Sequence, residues 1–121
     1  MKNIFSRNLC SPGQIEGIDI NDLVAGVLAL NDLETSILFF LFDSQLSAVE
    51  LSATTKKHRS TIQKALSNLM SKGLIIRKKK SLRRGYHYTY TAISEDKIKD
   101  TMIRIIEDQT ECLKKRINEE I

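Results

Sequence analysis

Apolar positions recur at helical spacing through the first third of the chain. Between residues 19 and 30, Ile20, Leu23, Val24, Val27, Leu28 and Leu30 keep one helical period despite Gly26. Asn31 or Asp32 then offers a fresh N-cap, and Leu33, Ile37, Leu38, Phe40 and Leu41 carry the period to about Phe42. With Phe39, Phe40 and Phe42 supplying aromatic bulk, this second segment reads as core. Residues 1–18 form a polar lead-in with a turn at Pro12-Gly13, expected to be partly flexible or docked on a partner subunit.

The middle of the chain changes pattern. Ser47 and Glu50 have the spacing of a capping box, which opens a short helix to about Ala53 with Val49 and Leu51 inward. Residues 54–58 make a polar break. A second helix runs from Arg59 to Lys72 with Ile62, Ala65, Leu66, Leu69 and Met70 on one stripe, and Gly73 stands where a helix end needs the left-handed conformation. A short helix, a tight turn and a longer helix form a helix-turn-helix pattern. The period then switches to two. Residues 74–77 predict a strand, 78–85 a basic loop, and 86–91 a strand with Tyr86, Tyr88 and Tyr90 on one face and His87, Thr89 and Thr91 on the other. Ser94, Glu95 and Asp96 open a last helix carrying Ile98, Met102, Ile105, Ile106, Gln109, Leu113, Ile117 and Ile121.

These elements predict a mainly α fold with a small β-hairpin wing, in the α+β class. The expected organisation is a lead-in at 1–18, a winged helix-turn-helix at 19–93 and a long dimerisation helix at 94–121. An apolar stripe sustained down that last helix, with little chain left to cover it, calls for a partner surface. Self-association through Ile98, Met102, Ile105, Ile106, Gln109, Leu113 and Ile117, together with the 19–30 helix, predicts a homodimer. A helix folded back within a monomer is the alternative.

Charge changes the picture most. No acidic residue lies between Glu50 and Glu95, and eleven of the nineteen Lys and Arg fall in that gap. Residues 51–94 therefore carry about +11, against about −7 for the rest. The formal net charge of +4 conceals this division. Local self-repulsion on that scale points to a polyanionic partner, of which nucleic acid is the commonest, over a solubilising loop.

The stretch from Val49 to Thr91 resembles the winged helix-turn-helix of MarR- and TrmB-like transcription regulators. Arg59-Ser60-Thr61-Ile62, the spaced leucines after them and Lys72-Gly73-Leu74-Ile75 carry the likeness. The basic, Gly-containing wing ending in a Tyr-rich strand is similar to the small archaeal TrmB-like proteins that lack a sugar-binding domain. The resemblance implies a homodimeric transcription regulator paired through its terminal helices. His58 departs from the pattern, standing where Ser, Asp or Asn usually caps the recognition helix, which predicts a weaker cap or a different start.

Helices that enter the major groove read bases with their N-terminal part. That nominates Ser60, Thr61, Gln63 and Lys64 for base edges, since Gln pairs with adenine and Lys reaches guanine O6 and N7. Arg59 and Ser67 are assigned to phosphates, as are Lys56 and Lys57 in the turn. Asn68 and Ser71 are expected on the same outward face. Arg83 and Arg84 beside Gly85 suit a narrow minor groove, with Lys78, Lys79 and Lys80 flanking it on the phosphates. Leu82 has no apolar neighbour at the tip. The tyrosine face is expected to pack on the recognition helix with its hydroxyls outward, stacking on unpaired bases being the alternative.

Other chemistry finds no footing. His58 and His87 lack companions for a metal, and there is no nucleophile triad, paired carboxylate site or Gly-rich phosphate loop, so no enzyme and no cofactor are expected. Cys10 and Cys112 are too few for a disulfide framework and read as reduced thiols. No run of eighteen apolar residues occurs and the start lacks an apolar signal core, so no membrane span is expected and the default compartment is the cytoplasm. The expected function is a sequence-preferring double-stranded DNA-binding regulator, with no residue identifying an effector. Two alternatives stay open: a non-specific architectural DNA-binding protein, and a winged-helix interaction module of a larger transcription or replication complex.

Overall fold

The computed structural model describes residues 17–121. Among them are five helices and a three-stranded antiparallel sheet: α1 (Ile20–Leu28), α2 (Asp32–Asp43), β1 (Leu46–Ser47), α3 (Ala48–Thr55), α4 (Arg59–Ser71), β2 (Ile75–Ser81), β3 (Tyr86–Ala92) and α5 (Glu95–Glu120). The mainly α architecture with a hairpin wing is as the residue pattern predicted. Contacts divide the described chain into two compact units, one of Asp32–Glu95 and the other of the residues before Asp32 with Asp96–Ile121. The turn expected at Pro12-Gly13 and the Cys10 thiol lie outside the described residues.

In the Asp32–Glu95 unit, α2 packs on α4 and β3, and α3 packs on α4. The core consists of Ile37, Leu38 and Leu41 from α2, Ala48 and Leu51 from α3, Ile62, Ala65, Leu66 and Leu69 from α4, and Leu74, Ile75 and Tyr90. Burying each large aliphatic side chain contributes about 2 kcal/mol against leaving it exposed. Phe40, placed in the core from its period, is instead 40% exposed, while Phe39 and Phe42 are half-buried and meet edge to face. The three phenylalanines cannot all point inward, because at about 3.6 residues per turn Phe39, Phe40 and Phe42 spread over nearly half of the helix circumference.

Two expectations about α3 are corrected by the structure. Ser47 does cap it, accepting from the Glu50 N–H at 3.2 Å while Glu50 accepts from the Ser47 N–H at 3.1 Å. That box makes Ala48 and Leu51 the inward pair, three residues apart, and leaves Val49 58% exposed. Positions two apart do not share a helix face, so Val49 and Leu51 could not both be buried. The helix also runs to Thr55 rather than Ala53, which shortens the break before α4.

The sheet order is β1-β3-β2. Nothing in the residue pattern signals β1, whose two residues pair Leu46 with Tyr90 and Ser47 with Thr89. The wing also differs from its expectation. Lys78, Lys79 and Lys80 belong to β2 and not to a loop, and the ladder continues to Ser81 opposite Tyr86. Only Leu82–Gly85 turn the corner, closed by the Leu82 N–H donating to the Gly85 carbonyl at 2.9 Å, with Gly85 at φ 87. Lys is a poor strand former in isolation, and the pairing with the β-favouring Tyr and Thr residues of β3 overrides it.

The other unit is held differently. Asp19 caps α1 through its carboxylate, which accepts from the Asn21 N–H at 2.7 Å. The helix ends at Ala29 in the left-handed conformation, with the Leu30 N–H donating to the Ala25 carbonyl at 2.9 Å. Val24, Ala25, Val27, Leu28 and Leu30 are buried. Of the 26 residues of α5 only Ile98 is buried. Met102, Ile105 and Ile106 are half-buried, and Gln109, Leu113 and Ile117 are exposed. No single described helix is long and apolar enough to cross a membrane.

Candidate nucleic-acid interface

The α3–α4 corner is built by side chain-to-backbone bonds. Lys56 closes α3 in the left-handed conformation at φ 57, and the Ser52 hydroxyl donates to the Lys57 carbonyl at 2.6 Å. Thr54 and Thr55 turn their hydroxyls onto the carbonyls of Glu50 and Leu51. Lys56 and Lys57 are thereby set on a fixed, exposed bend.

The next helix begins where the residue pattern placed it, and His58 is its cap. The imidazole Nδ1 accepts from the Ser60 N–H at 3.1 Å and lies 2.8 Å from the Ser60 hydroxyl. A ring nitrogen thus performs the task that a Ser or Asp oxygen performs elsewhere, and it does so only in the ring form with Nδ1 unprotonated. The far end is closed by a Schellman motif. The Gly73 N–H donates to the Met70 carbonyl at 2.9 Å and the Leu74 N–H to the Leu69 carbonyl at 3.1 Å, with Gly73 at φ 73.

Ile62, Ala65, Leu66 and Leu69 fix the inward face of α4. Its rotation has a further anchor that sequence reasoning missed. Asn68, expected outside, is part-buried and donates its side-chain amide to the buried Glu34 carboxylate of α2. The available signal was the position of Glu34 three and four residues before the buried Ile37 and Leu38, on their face of α2. What remains outward on α4 is Arg59, Ser60, Thr61, Gln63, Lys64, Ser67 and, at its last turn, Ser71, all exposed.

The wing is bare beyond its root. Ile75 is buried, but every later residue of β2 is exposed on either face. Over seven residues the strand spans roughly 23 Å, enough to carry Arg83 and Arg84 well clear of the core. Because β2 is a strand, its cations alternate. Lys78 and Lys80 lie opposite Thr89 and His87, whereas Arg77 and Lys79 share the tyrosine face. There the Arg77 guanidinium sits 4.2 Å over the Tyr88 ring and the Lys79 ammonium 4.0 Å over the Tyr86 ring. Tyr86 and Tyr88 meet edge to face at 5.5 Å. Of the tyrosines only Tyr90 is packed away, and Tyr86 is 52% exposed.

A cleft of about 450 Å³ opens between these elements, lined by Val49 and Glu50 of α3, Arg59 and Gln63 of α4, and the tyrosines of β3. All thirteen residues nominated from sequence for DNA contact are exposed on this one unit. Among the described residues no group of three or more His, Cys, Asp or Glu is placed to hold a metal.

Comparison with known proteins gives the same fold. An uncharacterized protein of Methanocaldococcus jannaschii is 31% identical over 103 residues, covering 84% of this chain and 86% of its own. A possible transcriptional regulator from Methanosarcina mazei superposes with a TM-score of 0.76 at 21% identity, over 85% of this chain and 89% of that one. MepR of S. aureus, solved in complex with DNA, superposes at 0.56 and 17% identity over 88% and 89%. The family model described as "Sugar-specific transcriptional regulator TrmB" matches residues 25–96. Family and fold are those of transcription regulators and not of enzymes. With a capped, rigidly seated helix beside a cationic hairpin, the chain belongs to the TrmB family of DNA-binding transcription regulators.

Proposed function

We propose that this regulator binds double-stranded DNA with sequence preference and acts as a homodimer. The observation that carries the reading is the acid-free band of residues 51–94, whose cations stand exposed on the α3–α4 bend, on α4 and its C-terminal end, and on the wing. The outward face of α4 enters the major groove, with Ser60, Thr61, Gln63 and Lys64 at base edges and Arg59 and Ser67 on phosphates. Lys56 and Lys57 touch the backbone beside it. The wing reaches the adjacent minor groove with Arg83 and Arg84, while Lys78, Lys79 and Lys80 neutralise phosphates.

Pairing rests on α5, where Leu113 and Ile117 are 54% and 56% exposed on a helix that continues the line of Met102, Ile105, Ile106 and Gln109. A two-fold homodimer reading successive half-sites on DNA needs its two α4 helices about one DNA turn apart. Ile98 is already buried within one chain and contributes to its fold before any pairing.

The test is a comparison of affinities for duplex from upstream of the protein's own gene and for random duplex, with sedimentation of the free protein. A preference on the order of 10³ and a mass twice 13.8 kDa are expected. A ratio near one contradicts sequence preference, and a monomer at every concentration contradicts the pairing.

A further inference from the structure

The cleft beside α4 holds chemistry that the helix face and the hairpin tip leave unused. One wall carries Tyr86 and Tyr88, and the other carries Arg59 and Gln63. Lys79 and Arg77, though exposed, rest over the two rings. A cation held over a ring has already given up rotamer freedom, so it meets an anion at a smaller entropic cost. The neighbouring Lys78 and Lys80 are turned to the opposite face of the hairpin. Glu50, the carboxylate lining the cleft, is occupied with the Ser47 N–H.

The position of the cleft argues for its occupant. A helix in the major groove and a hairpin in the adjacent minor groove straddle one strand of the duplex, because a sugar–phosphate chain is what separates the two grooves. Resting on the docking given above, we propose that this cleft seats that one strand. Arg59 and Lys79 neutralise its phosphates from opposite walls, and the Tyr86 hydroxyl donates to a phosphate oxygen. Tyr86 and Tyr88 have a second part, holding Lys79 and Arg77 in place, so that the ring matters apart from the hydroxyl. Tyr86 thereby joins the nucleic-acid contacts, and Tyr88 supports them as a positioning residue.

The experiment measures full-length protein binding to a duplex from upstream of its own gene, and to one separated strand of it, across a salt series. The variants are Tyr86→Phe, Tyr86→Ala, Lys79→Ala, Tyr86→Ala/Lys79→Ala and Arg83→Ala/Arg84→Ala, each checked by thermal melting. Tyr86→Phe is expected to lose roughly threefold to tenfold in affinity, the range of one hydrogen bond, with the salt slope unchanged. Lys79→Ala should lower the log–log slope by about 0.9. Tyr86→Ala should lose more than Tyr86→Phe, and the Tyr86/Lys79 double variant less than the product of its two single losses, the mark of coupling. Wild-type affinity and slope in both Tyr86 variants, with binding weakened in the Arg83/Arg84 variant, would overturn the cleft assignment and leave the wing contact standing. If the Arg83/Arg84 variant also binds as wild type, the docking falls and the cleft assignment with it. Tighter binding of the separated strand than of the duplex would overturn it in favour of a base-stacking platform.

Discussion

Helices α4 and α5 solve opposite problems. Helix α4 has 13 residues, four of them buried, with both ends closed by hydrogen bonds and its rotation fixed by Asn68 on Glu34. Helix α5 is twice as long with 26 residues, and Ile98 alone is buried. The first is fully specified inside one chain, so its polar face is displayed at a fixed angle. The second keeps Ile103, Leu113 and Ile117 more than half exposed. Reading and assembly are thus separated: α4 takes its order from the core, and α5 takes its cover, in the proposed dimer, from a second copy.

The greatest effect that separates them is a core truncation. Leu66→Ala on α4, at a site with no exposure, should cost about 2–5 kcal/mol in denaturant unfolding, while Leu113→Ala on α5 should cost the isolated chain less than about 0.5 kcal/mol. Equal losses would erase the distinction. The converse experiment is Leu113→Glu/Ile117→Glu, which should shift sedimentation equilibrium toward the monomer with the melting of the monomer unchanged. A dimer of undiminished affinity would place the pairing surface elsewhere.

Smaller effects isolate what fixes α4. Asn68→Ala removes a bond to a buried carboxylate and should cost about 1–3 kcal/mol, read from unfolding curves. Gly73→Ala meets no atom within 4 Å but forces a Cβ into φ 73, so the expected cost is about 1 kcal/mol from backbone strain alone. His58→Ser exchanges one capping acceptor for another and should move stability by less than about 0.5 kcal/mol. A larger drop would mean that the imidazole does more than cap.

What could be read from the residues follows the range of the forces involved. The capping box at Ser47 and Glu50, the α4 stripe and the helix stop at Gly73 are local, each set within a few turns of chain, and all were legible. The extent of β2 was not, because Lys78, Lys79 and Lys80 become strand only through their partners on β3. The two residues of β1 are too short to make a pattern, and their pairing with Tyr90 and Thr89 is long-range. Asn68 on Glu34 joins residues 34 positions apart, beyond any periodicity. In the candidate interface, the cationic residues were legible from the distribution of charge along the chain, whereas the alternation that sends Arg77 and Lys79 onto tyrosine rings required the register of the hairpin.

If the wing and the α4 face together bind duplex DNA by neutralising its phosphates, affinity must fall steeply as salt rises. The decisive measurement is that salt dependence for the wild type and for Arg83→Ala/Arg84→Ala. A steep log–log slope is expected in the wild type, falling by up to about 1.8 in the variant, roughly 0.9 for each phosphate that the two arginines neutralise. A shallow slope that is the same in both proteins would contradict phosphate neutralisation by the wing.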